Sequence, residues 1–399
     1  MSNIFSLNLE RIPKELIFLL EILKTDNDDD GSLNLQLKKR IPGMDWKLFL
    51  DLVGHHRLYP VLYSKLKLFN ESKIPHFVVQ NISNAYRKNT FQMLHLTAVM
   101  EEVSRIFTEN ELRLLVLKGP VLAADLYGDI SKRTCRDIDI LVPIDDLQKA
   151  HNLLLKLGFE KEDNFQIDMN LNDWKWRHHH ISFYHQYKQV KLEIHWRLNP
   201  GPGKEPTFNE LWRRKRNSSL TNHPVYYLGR EDLFFFLVTH GARHGWSRLR
   251  WLIDIHEIVG QRMDWNKANK LFLDYQTLHL GGQALILSSK LLKTPLHKEC
   301  IPFTRVNGTN LLAQSTIFYL EKMVNLHTEP LPDDVTEYHN RYIFSLKSKQ
   351  NKLWYLLSIF YPSITDIKTL KLPKYLYFLY FPLRPIFLVL RKIRKPSLN

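Results

Sequence analysis

Cysteine is nearly absent from this chain. Cys135 and Cys300 are the two in 399 residues, and they stand far apart. That excludes a disulfide framework and fits a reducing compartment. Long apolar runs are missing too. No stretch of about 18 uncharged apolar residues occurs, so no membrane-spanning helix is expected. The start, Met1-Ser2-Asn3-Ile4-Phe5, lacks the basic segment and apolar core of a secretory signal. The expected location is the cytoplasm. No internal repeat is visible. Acidic charge is in deficit, with 41 Asp and Glu against 56 Lys and Arg and a net charge of +15. That balance favours an anionic partner, whether nucleotide, nucleic acid, anionic polymer or membrane surface.

The length allows two or three domains with sizeable cores. Residues 1–110 read as an N-terminal helical region, with Leu16, Leu19, Leu20 and Leu23 at helical spacing and a loop over residues 26–32. The character changes at Leu112. Leu112-Arg113-Leu114-Leu115-Val116-Leu117 is a short apolar run stopped by Lys118-Gly119-Pro120, and it reads as a buried strand. A helix to Tyr127, a strand over 136–142, a helix over 144–157 and a strand over 190–196 follow. Residues 111–200 thus form an α/β core. Past the breaker Pro200-Gly201-Pro202-Gly203, residues 205–345 read as a helical domain and 346–399 as a basic, aromatic tail.

The chemistry concentrates in Arg136-Asp137-Ile138-Asp139-Ile140-Leu141-Val142. On a strand, residues i and i+2 share a face, so Asp137 and Asp139 point one way while Ile138, Ile140 and Val142 enter a core. Adjacent carboxylates repel and cost desolvation unless a cation sits between them. Paired aspartates suit magnesium with substrate phosphates, which suggests metal-assisted phosphoryl or nucleotidyl transfer. The bland alternative is a solvated strand end. Glu193, in Leu192-Glu193-Ile194, completes a three-carboxylate cluster if its strand lies beside the aspartate strand. Lys118-Gly119 opens a helix directly after a strand, where free N–H groups and the lysine charge can meet a phosphate.

These segments together resemble a family of uncharacterised bacterial nucleotidyltransferases in the DNA polymerase beta-like superfamily. The resemblance rests on Leu117-Lys118-Gly119, Leu126-Tyr127, Arg133, the aspartate strand and Leu192-Glu193-Ile194-His195-Trp196. It extends to the run from His240 to Asp254, to Asp45-Trp46 and to His55-His56-Arg57-Leu58-Tyr59-Pro60. It implies an α+β fold: a polymerase beta-like α/β core with a mixed sheet, flanked by N-terminal and C-terminal helical regions. It implies Asp137, Asp139 and Glu193 as catalytic metal ligands for Mg2+ or Mn2+, and the 118–120 turn as the triphosphate grip. The expected activity is transfer of a nucleoside monophosphate from a nucleoside triphosphate to an unidentified acceptor: a small molecule, peptide, polysaccharide precursor or protein. The superfamily usually places Gly-Ser or Gly-Gly about ten residues before the first aspartate, whereas Gly119 stands eighteen residues before Asp137. That departure keeps a second reading open, a non-catalytic protein that binds a nucleotide or an anionic intermediate on the same fold.

Other residues carry weaker signals. Arg133 either binds phosphate oxygens, as a third nucleotide-binding residue beside Lys118 and Gly119, or screens the carboxylates. Arg136 reads as screening, because it should face away from Asp137. His178-His179-His180 cannot all reach one ion if they alternate on a strand, so they read as structural or solvated, with His180 able to face the site. His195 shares a face with Glu193 and is either a site residue or a packed strand-end histidine. His240 and His244, four apart on a helix, read as buried or as an acceptor wall; Arg243, Arg248 and Arg250 could line that wall, with a solvated face as the default. In the tail, basic residues alternate with aromatic runs. That suits peripheral contact with an anionic membrane at the inner surface, against the alternatives of helices packed on the protein or of single-stranded nucleic acid. Pro382 and Pro385 are expected to break the last apolar run.

Overall fold

A computed structural model describes residues 6–25, 40–66, 74–162, 174–328 and 330–394. The loop expected over residues 26–32 and the tail's Lys395 lie outside the described residues. Seven short strands form one mixed sheet: β1 (Leu115–Val116), β2 (Asp137–Leu141), β3 (Glu160–Lys161), β4 (His180–His185), β5 (Val190–His195), β6 (Arg216–Ser218) and β7 (Val225–Tyr227). Their order is β3-β4-β5-β2-β1-β7-β6. β2 is parallel to β5 and β1 to β7, and the other neighbours are antiparallel. The fold is α+β, as the resemblance implied.

Alternation along the strands divides the sheet into two unlike faces. Ile138 and Ile140 of β2, Leu192 and Ile194 of β5, and Ile181 and Phe183 of β4 share one face. They join one core with Val99, Val103 and Phe107 of the helix His76–Glu109 and Leu154 of the helix Leu147–Lys156. The opposite face contributes Leu115 and Leu141 to a second, larger core made by the helical parts. That same face carries the carboxylates. β1 is shorter than the six-residue run suggested, although Leu112 and Leu114 are buried with it.

The helices before and after the sheet build a single core. Lys14–Leu23, Trp46–His55, Tyr59–Leu66 and the start of His76–Glu109 pack with Arg230–Arg243, Leu249–Val259 and Leu278–Leu292. Arg230–Arg243 is the central element, with every residue from Asp232 to Ala242 buried. An apolar surface all round is the mark of a helix enclosed on every side. The 34-residue helix His76–Glu109 serves both cores, since Val78 and Ile82 lie in one and Met93 to Phe107 in the other. At the crossing, Asn89 donates to the carbonyls of Ser131 and Arg133 at 3.0 and 3.2 Å and fixes the loop that leads into β2.

The chain also re-enters the sheet beyond the Gly-Pro breaker. β6 and β7 form a hairpin of three-residue strands inside the segment read as helical. Strands that short carry too few residues for a period-2 signal. In the tail, Tyr380–Arg394 is one helix with Pro385 inside it, so the prolines do not end the run as expected. Pro382 falls in the first turn, where no backbone N–H is required. Among the described residues no helix is long and apolar enough to cross a membrane.

Candidate active site

Register brings the predicted carboxylates together. Asp139 of β2 lies opposite Glu193 of β5, and Asp137 lies opposite Lys191. On the other side of β5, Glu193 faces Ser182 and His195 faces His180 of β4. Same-face alternation then gathers Asp137, Asp139, Glu193, His195 and His180 on one side of the sheet. Ligand atoms of Asp139, Glu193 and His195 all lie within 4.8 Å of one another, and so do those of His179, His180 and His195. Asp137 stands outside the tighter group but lines the same cleft.

Asp139 is fully buried. The Lys118 ammonium lies 3.0 Å from its Oδ2, and His195 Nε2 donates to its Oδ1 at 3.2 Å. Burial works against the Asp139 carboxylate, yet the Lys118 charge and the His195 hydrogen bond hold it below the usual range. Glu193 is similar. Burial pushes its carboxyl up, but the His195 hydrogen bond and the charges of His180 and His195 more than reverse that. The reciprocal effects agree in sign. His195 and Lys118 are both opposed by burial and both end above their ordinary values, because carboxylates surround them. Lys191 Nζ, 3.3 Å from Glu193 Oε1, adds a further cation.

The sheet face is the floor of a cleft of about 570 Å3, and its walls are basic. Arg57, Arg136, Arg243, Arg248 and Arg250 line it with His179, His240, His244 and His327. Three of these arginines meet neutral partners. Arg243 Nη1 meets His179 Nε2 at 3.2 Å, Arg248 Nη2 donates to Asn325 Oδ1 at 3.4 Å, and Arg250 Nη1 to Thr134 Oγ1 at 3.3 Å. Nε of Arg243 and of Arg250 is buried with no hydrogen-bond partner. Burial and the charges of Arg250, Arg248 and Arg136 pull the Arg57 guanidinium down to about 9. Burial alone pulls Arg243 to about 10, and burial with Arg250 and Arg136 does the same for Arg248. These three stay charged at neutral pH. Such a set, repelling itself in a closed space, is what an anion with several oxygens would relieve.

The remaining predicted residues have definite places. Gly119 caps the helix Pro120–Tyr127 with φ of 95°, in the left-handed region that only glycine enters freely, and Pro120 follows as the first helical residue. Lys118, expected as a phosphate grip, is engaged with Asp139. Arg133 borders the cleft but spends its fork on Asp254, with Nε to Oδ1 at 2.8 Å and Nη2 to Oδ2 at 2.9 Å. Tyr127 donates to the same carboxylate at 2.7 Å. This pair clamps the loop before β2 to the helix Leu249–Val259.

Two readings from strand alternation change, and one default for the helical segment. β4 begins at His180, so His179 precedes the strand and reaches the cleft together with its neighbour. Arg136 likewise precedes β2 and lines the cleft instead of facing away. Arg243, Arg248 and Arg250 form the wall and not a solvated face. Arg57, Asn325 and His327 were not singled out at all. Arg57 lay inside a quoted motif and takes a positive φ of 57°. Asn325 and His327 come from a turn with no sequence signal.

No curated protein matches the chain significantly. Residues 42–293 match the family described as uncharacterised nucleotidyltransferase, a span that holds the whole sheet and most of the cleft. The chain therefore belongs to that nucleotidyltransferase family.

Proposed function

We propose that the cleft binds a nucleoside triphosphate with magnesium or manganese and transfers the nucleoside monophosphate to an acceptor, releasing pyrophosphate. One observation carries this reading. Asp139 and Glu193, opposite in register, meet His195 at the floor of a cleft walled by arginines. Asp137, Asp139 and Glu193 would hold the cation, oxygen donors of the kind magnesium and manganese take, with His195 hydrogen-bonded to Asp139 beside them. The fit is supported by the donor set, the carboxylates of Asp139 and Glu193, whose negative charge is now offset by Lys118 and His195. A bound divalent ion would neutralise charge on the α-phosphate and on the leaving pyrophosphate.

The chain's own residues do the rest. Arg57, Arg243 and Arg248 bind and orient phosphate oxygens, and their burial keeps competing water away. Lys118 balances Asp139, and with a cation on that carboxylate its charge would be available to the phosphates. Arg133 holds the loop that aims β2, through Asp254. In the transfer, the acceptor's nucleophilic atom bonds to the α-phosphorus, the bond to the bridging oxygen breaks, and pyrophosphate departs. The acceptor's proton goes to solvent.

The test is pyrophosphate release from each ribonucleoside triphosphate with Mg2+ or Mn2+, with a lysate small-molecule fraction as acceptor source. Asp137→Asn with Asp139→Asn should abolish release while the far-UV spectrum is unchanged. Equal release from the double variant would remove these residues from the chemistry. A second reading, a binding protein on the same fold, is favoured by the Lys118 ammonium that sits where a cation would sit. It requires tight nucleotide binding that chelation of metals leaves intact and that no pyrophosphate accompanies.

A further inference from the structure

Residues 347–399 hold eleven basic side chains and one acidic, so ten of the chain's fifteen net positive charges fall in its last 53 residues. The one acid, Asp366, does not reach the surface. It is fully buried, takes Arg384 Nη1 at 2.7 and 2.6 Å on its two oxygens, and is met by Arg391 as well. The exposed lysines, among them Lys349, Lys368 and Lys371, thus have no acid of this segment beside them at the surface.

The apolar side chains of the same region face outward. Of the nineteen large hydrophobic side chains exposed among the described residues, twelve lie between Leu353 and Leu390. The helix Lys349–Ile359 buries none of its residues, although Leu353, Trp354, Leu356 and Leu357 are among them. The helix Tyr380–Arg394 is apolar on both sides. Tyr380, Arg384 and Phe387, one turn apart, form its buried seam, while Ile386, Val389 and Leu390 stand on the far side, 53, 58 and 43% exposed. A surface helix normally turns its apolar stripe to the core. Here two aromatic rings and an ion pair fill the inner face, and a second apolar stripe is left outside, which marks a contact surface.

We propose that this surface docks in the plane of an anionic lipid bilayer. The charge selects the occupant, because lysines interleaved with aromatic and branched apolar residues match acidic headgroups above an acyl boundary. Trp354, Tyr375, Phe378 and Phe381 are side chains of the kind that sit at that boundary. The contact is peripheral. The helix Tyr380–Arg394 has 15 residues and an internal proline, about 22 Å of rise against a hydrocarbon core of about 30 Å. This surface draws on none of the residues in the proposed nucleotide cleft and stands or falls independently of them.

The experiment is co-sedimentation of the full chain with phosphatidylcholine vesicles and with vesicles carrying about a third phosphatidylglycerol. The protein should pellet with the anionic vesicles, with partition about tenfold or more above that to neutral ones, and 0.5 M NaCl should release most of it. Trp354→Glu with Leu357→Glu and Phe378→Glu, all at exposed positions, should abolish pelleting and leave the circular dichroism spectrum intact. Lys349→Glu with Lys371→Glu should lower partition about tenfold or more. Failure of the folded protein to pellet would overturn the proposal, and so would undiminished pelleting of the apolar triple variant. Binding of a single-stranded oligonucleotide that displaces the protein from vesicles and is lost in the same variants would assign the surface to nucleic acid instead.

Discussion

Arg133 and Asp254 show how much a single pair supports. Both are fully buried and joined by two parallel hydrogen bonds, with the Tyr127 hydroxyl on the same carboxylate. Asp254→Ala leaves a guanidinium in a closed space that already holds Arg250. Breaking one side of such a pair costs about 3–5 kcal/mol, so urea unfolding should show a loss of that size. A loss below about 1 kcal/mol would mean that the loop before β2 is held by other contacts. At this scale the sequence was legible where alternation applied. Asp137, Asp139 and Glu193 fell on one face because each lies inside a paired strand. His179 and Arg136 were misread because each stands one residue before its strand begins. Arg133 could not be resolved from sequence, since its partner lies 121 positions away.

Elements were readable in proportion to their length and period. The helix Arg230–Arg243, the strands β2 and β5 and the turn at Gly119 all follow from local pattern. The β6–β7 hairpin does not, and neither does the way one long helix serves two cores, because both depend on distant partners. Glycines separate the two kinds of constraint. A Cβ on Gly241, in the central helix, would meet the Trp246 ring at 2.3 Å, whereas a Cβ on Gly54, near the end of Trp46–His55, meets nothing within 4 Å. Gly241→Ala should therefore destabilise by about 1–3 kcal/mol through overpacking. Gly54→Ala should stabilise by about 0.5–1 kcal/mol, because the unfolded chain loses freedom and the helix gains a better former. Equal effects of the two changes in thermal unfolding would show that packing around Trp246 yields more than its position suggests.

Across the whole molecule, titration is biased in one direction. His55, His56, His179, His180, His240, His244, His279, His327 and His339 are all pushed below the ordinary histidine value, each first by burial. Only His195, among those with a clear shift, goes the other way. A histidine kept neutral in the fold contributes stability that is present above its unfolded pKa, near 6.5, and lost as pH falls. His195 has the opposite sign: its contribution is present below about 6.5 and fades as pH rises through its raised folded value. The depressed group is larger and includes His56 and His240, both buried, each worth up to about 1.4 kcal/mol per pH unit. Stability should thus fall between pH 7.5 and 5.5, by about 1–3 kcal/mol after the His195 offset. His240→Gln should narrow the fall. Urea midpoints at the two pH values decide it. Equal midpoints, or a higher one at pH 5.5, would mean that the buried imidazoles are not held neutral, and that the electropositive cleft beside them tolerates still more charge.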